Sequence, residues 1–336
     1  MSGWLNSRTG RLAGLGVGIV ALLGIMLASV LFGLQQFSLR ELWQAYRHFD
    51  GSNEHLILLN TRVPRTLIAV VVGASLAVAG TIMQVLTKNP LASPSVFGVN
   101  SGAVLFIVIG LAVTGSSLTM TSMIGLAFIG AALTSLFVYV LSMQGRGGFE
   151  PIRLTLAGAS VAAFASSVTS GLILINKQSL ESALFWMVGS VSGRNTEHLL
   201  LVLPYIVAGL ILSFLLAGSL NVLALGDEQA KGLGQRLTLI RLGCTAAVVL
   251  LAGSAVAAAG PIAFIGLVIP HLCRYAVGND HRWLLPYAAV SGALLLVSAD
   301  LASRFILVSK EVPVGVATAL IGVPFLIHVA RRRKYA

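Results

Sequence analysis

The fold is decided by one stretch of sequence, RVPRTLIAVVVGASLAVAGTIMQVL at residues 62–86, and by the corner KNPLASP at residues 88–94 that follows it. Beyond Arg62 and Arg65 the first stretch carries no charge. A helix needs about 20 apolar residues to cross a hydrocarbon core of about 30 Å. Pro64 suits the first helical turn, where its missing N–H is not needed, and the two prolines of the corner end the helix. The stretch therefore predicts a membrane-spanning helix with arginines at one end and a tight polar turn at the other.

The composition of the whole chain excludes a soluble protein. Of 336 residues, 57% are hydrophobic and only 10% are charged, and the mean hydropathy is +0.92. Soluble domains carry about 25% charged residues. Lysine and arginine outnumber aspartate and glutamate by 22 to 11, but the basic residues stand singly between apolar runs, which is typical of loops between spans and not of a nucleic-acid interface. We expect an all-α polytopic membrane protein whose residues 1–336 form one transmembrane domain, with no nucleic-acid partner.

Apolar runs predict about ten transmembrane helices. They lie near residues 12–34, 63–86, 96–114, 120–143, 153–175, 199–218, 239–259, 262–277, 284–303 and 313–330. An even number of spans places both termini on one side. With both termini inside, the inner segments hold fourteen of the 22 basic residues and the outer segments hold eight, which favours cytoplasmic N- and C-termini.

Two of the predicted outer segments are long enough for structure of their own. The segment from Phe37 to Leu59 contains Trp43, Tyr46 and Phe49, and we expect a short helix on the membrane surface, where aromatic rings settle. The segment at residues 176–198 is too short and too polar to span, so we expect it to be re-entrant or interfacial.

Several absences limit the possible chemistry. The chain has no Gly-x-x-x-x-Gly-Lys-Ser/Thr loop for a nucleotide phosphate, and no His-Glu-x-x-His or Cys-x-x-Cys pattern for a metal enzyme. His271 and Cys273 alone are too few for a metal site. Asp300 is the one carboxylate inside a predicted span, whereas an ion-coupled carrier keeps such groups near mid-membrane. We expect a transport protein without catalytic or metal-binding residues, and an ion-coupled carrier is the less favoured alternative.

The predicted inner loop LALGDEQAKGLG, residues 223–234, has the pattern of a short capped helix. Asp227 can cap it, and Gly232 or Gly234 can end it. Asp227 and Lys231 are four residues apart, a spacing that supports a helix weakly. Such a helix between two spans is rigid enough to receive a push from a partner, although an ordinary solvated loop is the alternative.

Three arginines fall on the predicted outer rim: Arg62, Arg65 and Arg304. Rim arginines can hold carboxylates of a docking protein in bidentate pairs. Two structural alternatives are open at this point. The side chains can anchor the helices by extending to the interface, or Asp300 and Arg304, four apart, can satisfy each other.

These stretches resemble the FecCD family of ABC-transporter permeases, which imports ferric siderophores, haem and cobalamin. The resemblance rests on segments that follow the family's order over nearly the whole chain: RVPR at 62–65, NPLASPSVFG at 89–98, ALGDEQAKGLG at 224–234, GPIAFIGLVIPH at 260–271 and EVPVG at 311–315. It implies the architecture of a type II ABC importer in a bacterial cytoplasmic membrane, with ten helices in each of two permease subunits, identical or paralogous.

The resemblance also implies partners and residue roles. Two ATPase subunits, which bind ATP and magnesium, sit inside; an extracytoplasmic siderophore-binding protein sits outside, and this chain itself binds no cofactor. Arg62, Arg65 and Arg304 match the docking positions, and the segment at about 220–237 matches the ATPase contact. The contact residues are Leu225, Gly226, Asp227, Glu228, Ala230, Lys231 and Gly234.

We therefore predict the permease subunit of an importer for iron(III)-siderophore complexes, with haem or cobalamin as alternative cargo. The translocation path should be poor in charge and lined by the second span and its neighbours. The residues expected there are Gln84, Asn89, Pro90, Asn100 and Pro261.

Overall fold

The computed structural model of the chain describes residues 4–332 except residues 6, 34, 115–117, 145–148, 176–183, 185 and 307–310. All regular secondary structure in this described part is helical. The helices are α1 (Arg8–Leu31), α2 (Leu39–Arg47), α3 (Asn53–Ile57), α4 (Val63–Leu86), α5 (Val99–Thr114), α6 (Met120–Met143), α7 (Pro151–Ile175), α8 (Thr196–Leu215), α9 (Ala217–Leu223), α10 (Asp227–Gly232), α11 (Leu237–Val248), α12 (Ser254–Ala259), α13 (Ile265–Val277), α14 (His281–Ser303) and α15 (Val314–Arg332).

Each of the ten predicted apolar runs is helical. Single π-helical turns join α3 to α4 and α11 to α12, so that each pair forms one continuous rod. Within the described residues, seven helices, counting each joined pair as one, are long and apolar enough to cross a membrane: α1, α3–α4, α6, α7, α8, α11–α12 and α14. Helices α5, α13 and α15 are shorter and also apolar.

Some helices begin at residues other than those predicted, because capping interactions set where they start. Helix α1 begins at Arg8 because the hydroxyl of Ser7 accepts a hydrogen bond from the Gly10 N–H, 3.0 Å away. Helix α5 begins at Val99, three residues after the predicted start at residue 96. The preceding residues form a 3₁₀ turn that ends at Gly98, whose φ of +72° is strained for residues with a side chain.

The segment after α1 contains a short helix, as expected. Helix α2 is closed by a capping box, in which Ser38 and Glu41 each bind the other's backbone N–H. Trp43 and Tyr46 are more than 60% exposed, as expected for a helix with an aromatic face.

The predicted re-entrant segment is only partly within the described residues. In the described portion Trp186 and Val191 are buried. The Ser190 N–H donates to the carbonyl of Ala259 at 2.7 Å, and the Gly189 carbonyl accepts from the Gly315 N–H at 3.0 Å. This loop therefore packs between the end of α12 and the start of α15.

Helix α4 is the centre of the molecule and packs most extensively against α14. Glycines make this close approach possible. A Cβ atom on Gly73 would lie 2.4 Å from the carbonyl oxygen of Gly292, and one on Gly80 would lie 1.9 Å from that of Gly266 in α13. Small residues at such crossings let two backbones touch, and van der Waals packing then holds the helices together. With 24 residues at 1.5 Å each, α4 is about 36 Å long.

Candidate functional site

The arginine end of α4 carries a buried ionic network, which we call the arginine cluster (Arg62, Arg65, Asp300, Arg304, Glu311). Nη2 of Arg65 lies 2.8 Å from Oδ1 of Asp300, and Nη1 lies 2.6 Å from Oε2 of Glu311. Nη2 of Arg304 lies 2.5 Å from the other oxygen of Asp300. The two arginines thus share one carboxylate, and Glu311 joins the start of α15 to α4.

Arg62 completes the arginine cluster, and no carboxylate among the described residues forms an ion pair with it. It donates to the carbonyl oxygens of Phe32 and Gln35 at 2.9 and 3.2 Å. Arg304 donates to the same Phe32 oxygen at 3.1 Å. The cluster therefore holds three cations against two carboxylates and ties the end of α1 to α4 and α14.

The structure brings the three predicted docking arginines together but buries them. Arg62, Arg65 and Arg304 are 7%, 4% and 1% exposed, and Asp300 is 1% exposed. Asp300 and Arg304 form an ion pair, as the second structural alternative predicted. The alternative of arginines extended to an interface does not fit this burial. Any docking through these groups requires a partner that displaces an existing contact.

Glu311 is the accessible member of the arginine cluster. Its side chain is 29% exposed and also accepts a hydrogen bond from the Ser192 hydroxyl at 3.0 Å. Burial raises the pKa of Glu311, but the attraction of Arg65 and Arg304 and the hydrogen bonds from Arg65 and Ser192 together lower it more, so its pKa lies below the ordinary glutamate value. Glu311 is therefore a carboxylate at neutral pH.

The opposite end of α4 meets a second ionic contact, the Asp227 contact (Lys88, Asp227, Arg241). Oδ2 of Asp227 lies 2.6 Å from Nη2 of Arg241, and Oδ1 lies 3.1 Å from Nζ of Lys88. The Arg241 guanidinium also lies over the Phe149 ring, 4.6 Å from its centre. Lys88 follows α4 in a left-handed conformation, φ +50°, which turns the chain sharply there. Asp227 thereby connects α10 to the ends of α4 and α11.

The short helix in the loop is confirmed, but the role predicted for Asp227 in it is wrong. The N-cap is Gly226, with φ +118°, and Asp227 is the first helical residue. Its carboxylate does not cap the helix because Arg241 and Lys88 bind it. These two, and not Lys231, are its ionic partners.

Of the two glycines predicted to end the helix, Gly232 and Gly234, it is Gly234 that adopts the left-handed terminating conformation. It has φ +80°, its N–H donates to the carbonyl of Lys231, and the next N–H, of Gln235, donates to that of Ala230. This pair of bonds is the Schellman arrangement. Ala230 is fully buried, whereas Leu225 and Leu233 are 59% and 65% exposed and Glu228 and Lys231 are also exposed. The segment is anchored on one side and presents two leucines on the other.

The five predicted path residues do not form one lining. Gln84 and Pro90 line a cavity of about 890 Å³ at the Lys88 end of α4. Asn100 and Pro261 line another, of about 570 Å³, between α5 and α7. The Asn89 side chain accepts a hydrogen bond from the Leu91 N–H at 3.0 Å, so it stabilises its own turn.

Several residues of these networks were not identified from sequence. Glu311 lies in one of the segments that resemble the FecCD family, and Lys88 directly precedes another. That position was the only indication in the sequence that they have a role. Arg241 and Ser192 carried no signal, because each meets its partner only when helices and loops pack together: Ser192 lies 119 residues from Glu311, and Arg241 lies 14 residues from Asp227.

Comparison with known proteins matches the model of the FecCD transport family to residues 21–332. The chain is 50% identical over 314 residues to the "Probable siderophore transport system permease protein YfiZ" of Bacillus subtilis (strain 168), with 94% of each chain covered. It is 41% identical over 318 residues to the ferric enterobactin transport system permease protein FepD of Escherichia coli (strain K12), again with 94% of each covered.

The chain is also similar to the solved structure described as "An inward-facing conformation of a putative metal-chelate type ABC transporter". The TM-score is 0.84 at 27% identity, and the match covers 95% of this chain and 98% of that one. The family model, the relatives and the fold agree over more than nine-tenths of the chain, and the chain belongs to the FecCD transport family.

Proposed function

We propose that this chain is the permease subunit of an ABC importer for iron(III)-siderophore complexes. The observation that carries the proposal is its similarity, over 94% of both chains, to a permease named for siderophore transport. Haem is the alternative cargo, because the hemin transport system permease protein HmuU of Yersinia pestis is 39% identical over 337 residues.

The proposed assembly contains two permease subunits, two ATPase subunits and an external binding protein. We place this chain in a bacterial cytoplasmic membrane with all ten apolar helices crossing and both termini cytoplasmic. The α10 segment then faces the ATPase, and the arginine cluster faces outward. No bond of the cargo is broken, so this chain acts in transport and not in catalysis.

The Asp227 contact suggests how a push on α10 reaches the spans. Exposed Leu225 and Leu233 offer an apolar surface to the ATPase. Movement of α10 acts on Lys88 and Arg241 through one carboxylate, and so on the ends of α4 and α11. Because α4 is a buried rod about 36 Å long, its displacement at one end changes packing at the other.

Because the arginines are buried and already paired, docking through them requires one carboxylate to replace another. A carboxylate of the binding protein would replace Glu311 on Arg65, since Glu311 is the exposed partner and Asp300 is the buried one. Reversal of Arg62 and Arg65 to glutamate should weaken docking of the binding protein to folded permease. Unchanged affinity would remove these residues from the docking surface.

Uptake of radiolabelled ferric siderophore into cells tests the proposed function. We expect uptake to require this chain and the catalytic site of its ATPase partner, and to continue when the proton gradient is collapsed while ATP is maintained. Uptake that survives a disabled ATPase but stops with the gradient would indicate an ion-coupled carrier instead.

A further inference from the structure

Phe264, between α12 and α13, has a backbone conformation that side chains rarely adopt. Its φ is +70° and its ψ is −30°, and the Ile265 N–H donates to the carbonyl of Ala263, 3.0 Å away, which closes a γ-turn around Phe264. Within the described residues, Lys88 is the one other non-glycine residue with a positive φ. For a bulky residue such a conformation is strained, and it persists only where the surrounding structure imposes it.

Glycines fix the chain on both sides of this turn. A Cβ atom on Gly189 would lie 2.5 Å from the carbonyl oxygen of Pro261, so the chain before the turn lies directly against another loop. After the turn, the carbonyl oxygen of Gly266 lies against α4, where a Cβ atom on Gly80 would be 1.9 Å away. Because backbone meets backbone at both points, neither end of the turn can shift freely. The strain therefore falls on Phe264 between them.

The ring of Phe264 packs against the backbone of α15 at Gly322. A Cβ atom on Gly322 would lie 2.2 Å from Cγ of the ring, so glycine is needed there to make room for it. Pro324, two residues further, lies inside α15 and lacks the N–H that would bond to the carbonyl of residue 320. Helix α15 is therefore weakened over the turn that covers the ring, and a bend there would open the contact.

Three cavities follow one another along the chain segment that contains Phe264. Pro261 lines the cavity of about 570 Å³ between α5 and α7, and His271 lines the cavity of about 890 Å³ described above. Phe264, between these two residues, lines a small cavity of about 160 Å³ together with Leu76 of α4 and Asn100 of α5. Asn100 also lines the first cavity. Because small-molecule sites typically have about 300–1,000 Å³, the small cavity is the narrow part of this series.

We propose that Phe264 is a gating residue of the translocation path, whose ring on Gly322 keeps the path closed at the small cavity. Passage of cargo then requires α15 to bend away, the ring to leave Gly322 and the γ-turn to relax. Relaxation of the strained turn offsets part of the packing that is lost, which keeps the closed and open states close in free energy. The inference rests on the proposed function, since it assigns Phe264 a role in the passage of that cargo.

Cysteine labelling of the purified full-length permease in nanodiscs measures access to the small cavity. The reporter is Leu76→Cys, at a position that is 5% exposed, in a background with Cys244→Ala and Cys273→Ala. The probe is a small methanethiosulfonate reagent. Phe264→Ala should raise the labelling rate about tenfold or more, because loss of the packed ring destabilises the closed state. Phe128→Ala removes a partly buried ring from α6, which is not among the residues lining these cavities, and should leave the rate unchanged.

Phe264→Gly separates the strain of the turn from the packing of the ring. Glycine adopts a φ of +70° without strain and alanine does not, so the closed turn should persist better with glycine. We expect the labelling rate to rise from wild type to Phe264→Gly and again, severalfold, to Phe264→Ala. Equal rates for the two variants would show that the ring only fills space and would overturn the proposal.

Gly322→Ala tests the same contact from α15, and it does so even if Phe264→Ala fails to fold. The added Cβ displaces the ring, so labelling should be faster than in the wild type. Combined with Phe264→Ala it should add little, because the ring that it displaces is already absent. A labelling rate that Gly322→Ala leaves unchanged would contradict the gate.

Uptake distinguishes failure of the gate from failure of the proposed function. In the complete transporter, Phe264→Gly should lower the amount of ferric siderophore imported per ATP hydrolysed severalfold, because a path that closes poorly lets cargo return. Unchanged import per ATP in Phe264→Gly and Phe264→Ala would overturn the gate and leave the proposed function intact. Siderophore uptake that does not depend on this chain would overturn the proposed function, while the labelling rates would still report the contact between Phe264 and Gly322.

Discussion

Arg65 and Glu311 are 246 residues apart in the chain, yet Nη1 of the arginine lies 2.6 Å from Oε2 of the glutamate. The contact links the first turn of α4 to the segment that enters α15. Nη1 of Arg65 thus binds the accessible carboxylate of Glu311. Nε and Nη2 of the same guanidinium bind the buried carboxylate of Asp300.

Glu311→Gln should increase the affinity of the binding protein for the permease. The neutral side chain competes less well for Arg65, so a carboxylate of the partner replaces it at lower cost, and we expect roughly threefold to tenfold tighter docking. Surface plasmon resonance with permease in nanodiscs measures this affinity. Glu54→Gln removes the same charge from an exposed position outside the arginine cluster and should leave docking unchanged. Weaker docking by Glu311→Gln would contradict the exchange.

Asp300→Asn should destabilise the protein strongly. Arg65 and Arg304 would both lose their shared buried counter-ion, and breaking a buried ion pair costs about 3–5 kcal/mol. Thermal unfolding monitored by fluorescence-detected size exclusion provides the measurement. Asp50→Asn changes an exposed aspartate paired with His55, and its midpoint should stay close to the wild-type value. Equal midpoints for the two variants would show that the arginine cluster does not stabilise the fold.

Asp227→Asn should uncouple ATP hydrolysis from transport. Without the carboxylate, movement of α10 no longer acts on Lys88 and Arg241. We therefore expect transport per ATP hydrolysed to fall severalfold, while the folded complex and its ATPase activity persist. Proteoliposomes that hold the complete transporter allow both rates to be measured. The matched control is Glu150→Gln, which breaks a surface pair with Arg153. An unchanged ratio in Asp227→Asn would rule out this route of coupling.

The Asp227 contact also has a defined pH dependence. Burial raises the pKa of Asp227, but the hydrogen bonds from Arg241 and Lys88 and the attraction of their charges together lower it more, so the pKa lies below the ordinary aspartate value. A lowered pKa in the folded state stabilises the protein above the ordinary value of about 3.9, and this contribution is lost as the pH falls through the folded value. The difference in unfolding midpoint between wild type and Asp227→Asn should be constant from about pH 8 to 5 and shrink below about pH 4. A difference that already declines near neutral pH would contradict this.

Gly80→Ala should prevent close packing of α4 on α13. The added Cβ would lie 1.9 Å from the backbone oxygen of Gly266, and no side-chain rotation relieves a clash with backbone. We expect a loss of several kcal/mol or failure to assemble, from overpacking. Gly24→Ala has no atom within 4 Å of its new Cβ and should be neutral or slightly stabilising, since alanine favours helix. Yields and unfolding midpoints of the two variants test the crossing.

Local rules written in the sequence predicted much of the fold. Apolar length predicted the ten helical runs. The glycines at 232 and 234 predicted the end of α10 to within two residues, because capping and turn conformations depend on neighbours in the chain. The same rules misassigned Asp227, which has the residue type and position of an N-cap. A cap competes with any stronger partner, and the guanidinium of Arg241 is one.

The sequence by itself determined an all-helical membrane protein with basic residues at the ends of its spans. Tertiary structure alone decided that Arg65 meets Asp300 and Glu311, that Gly80 lies on Gly266, and that Phe264 packs on Gly322. Hydropathy specifies that a run is helical but not how the helix is rotated or which helix it crosses. The rotation and crossing of each helix come from matching side-chain shapes and buried charges on segments far apart in the chain. A shift of one residue along a helix would separate the contacting pairs.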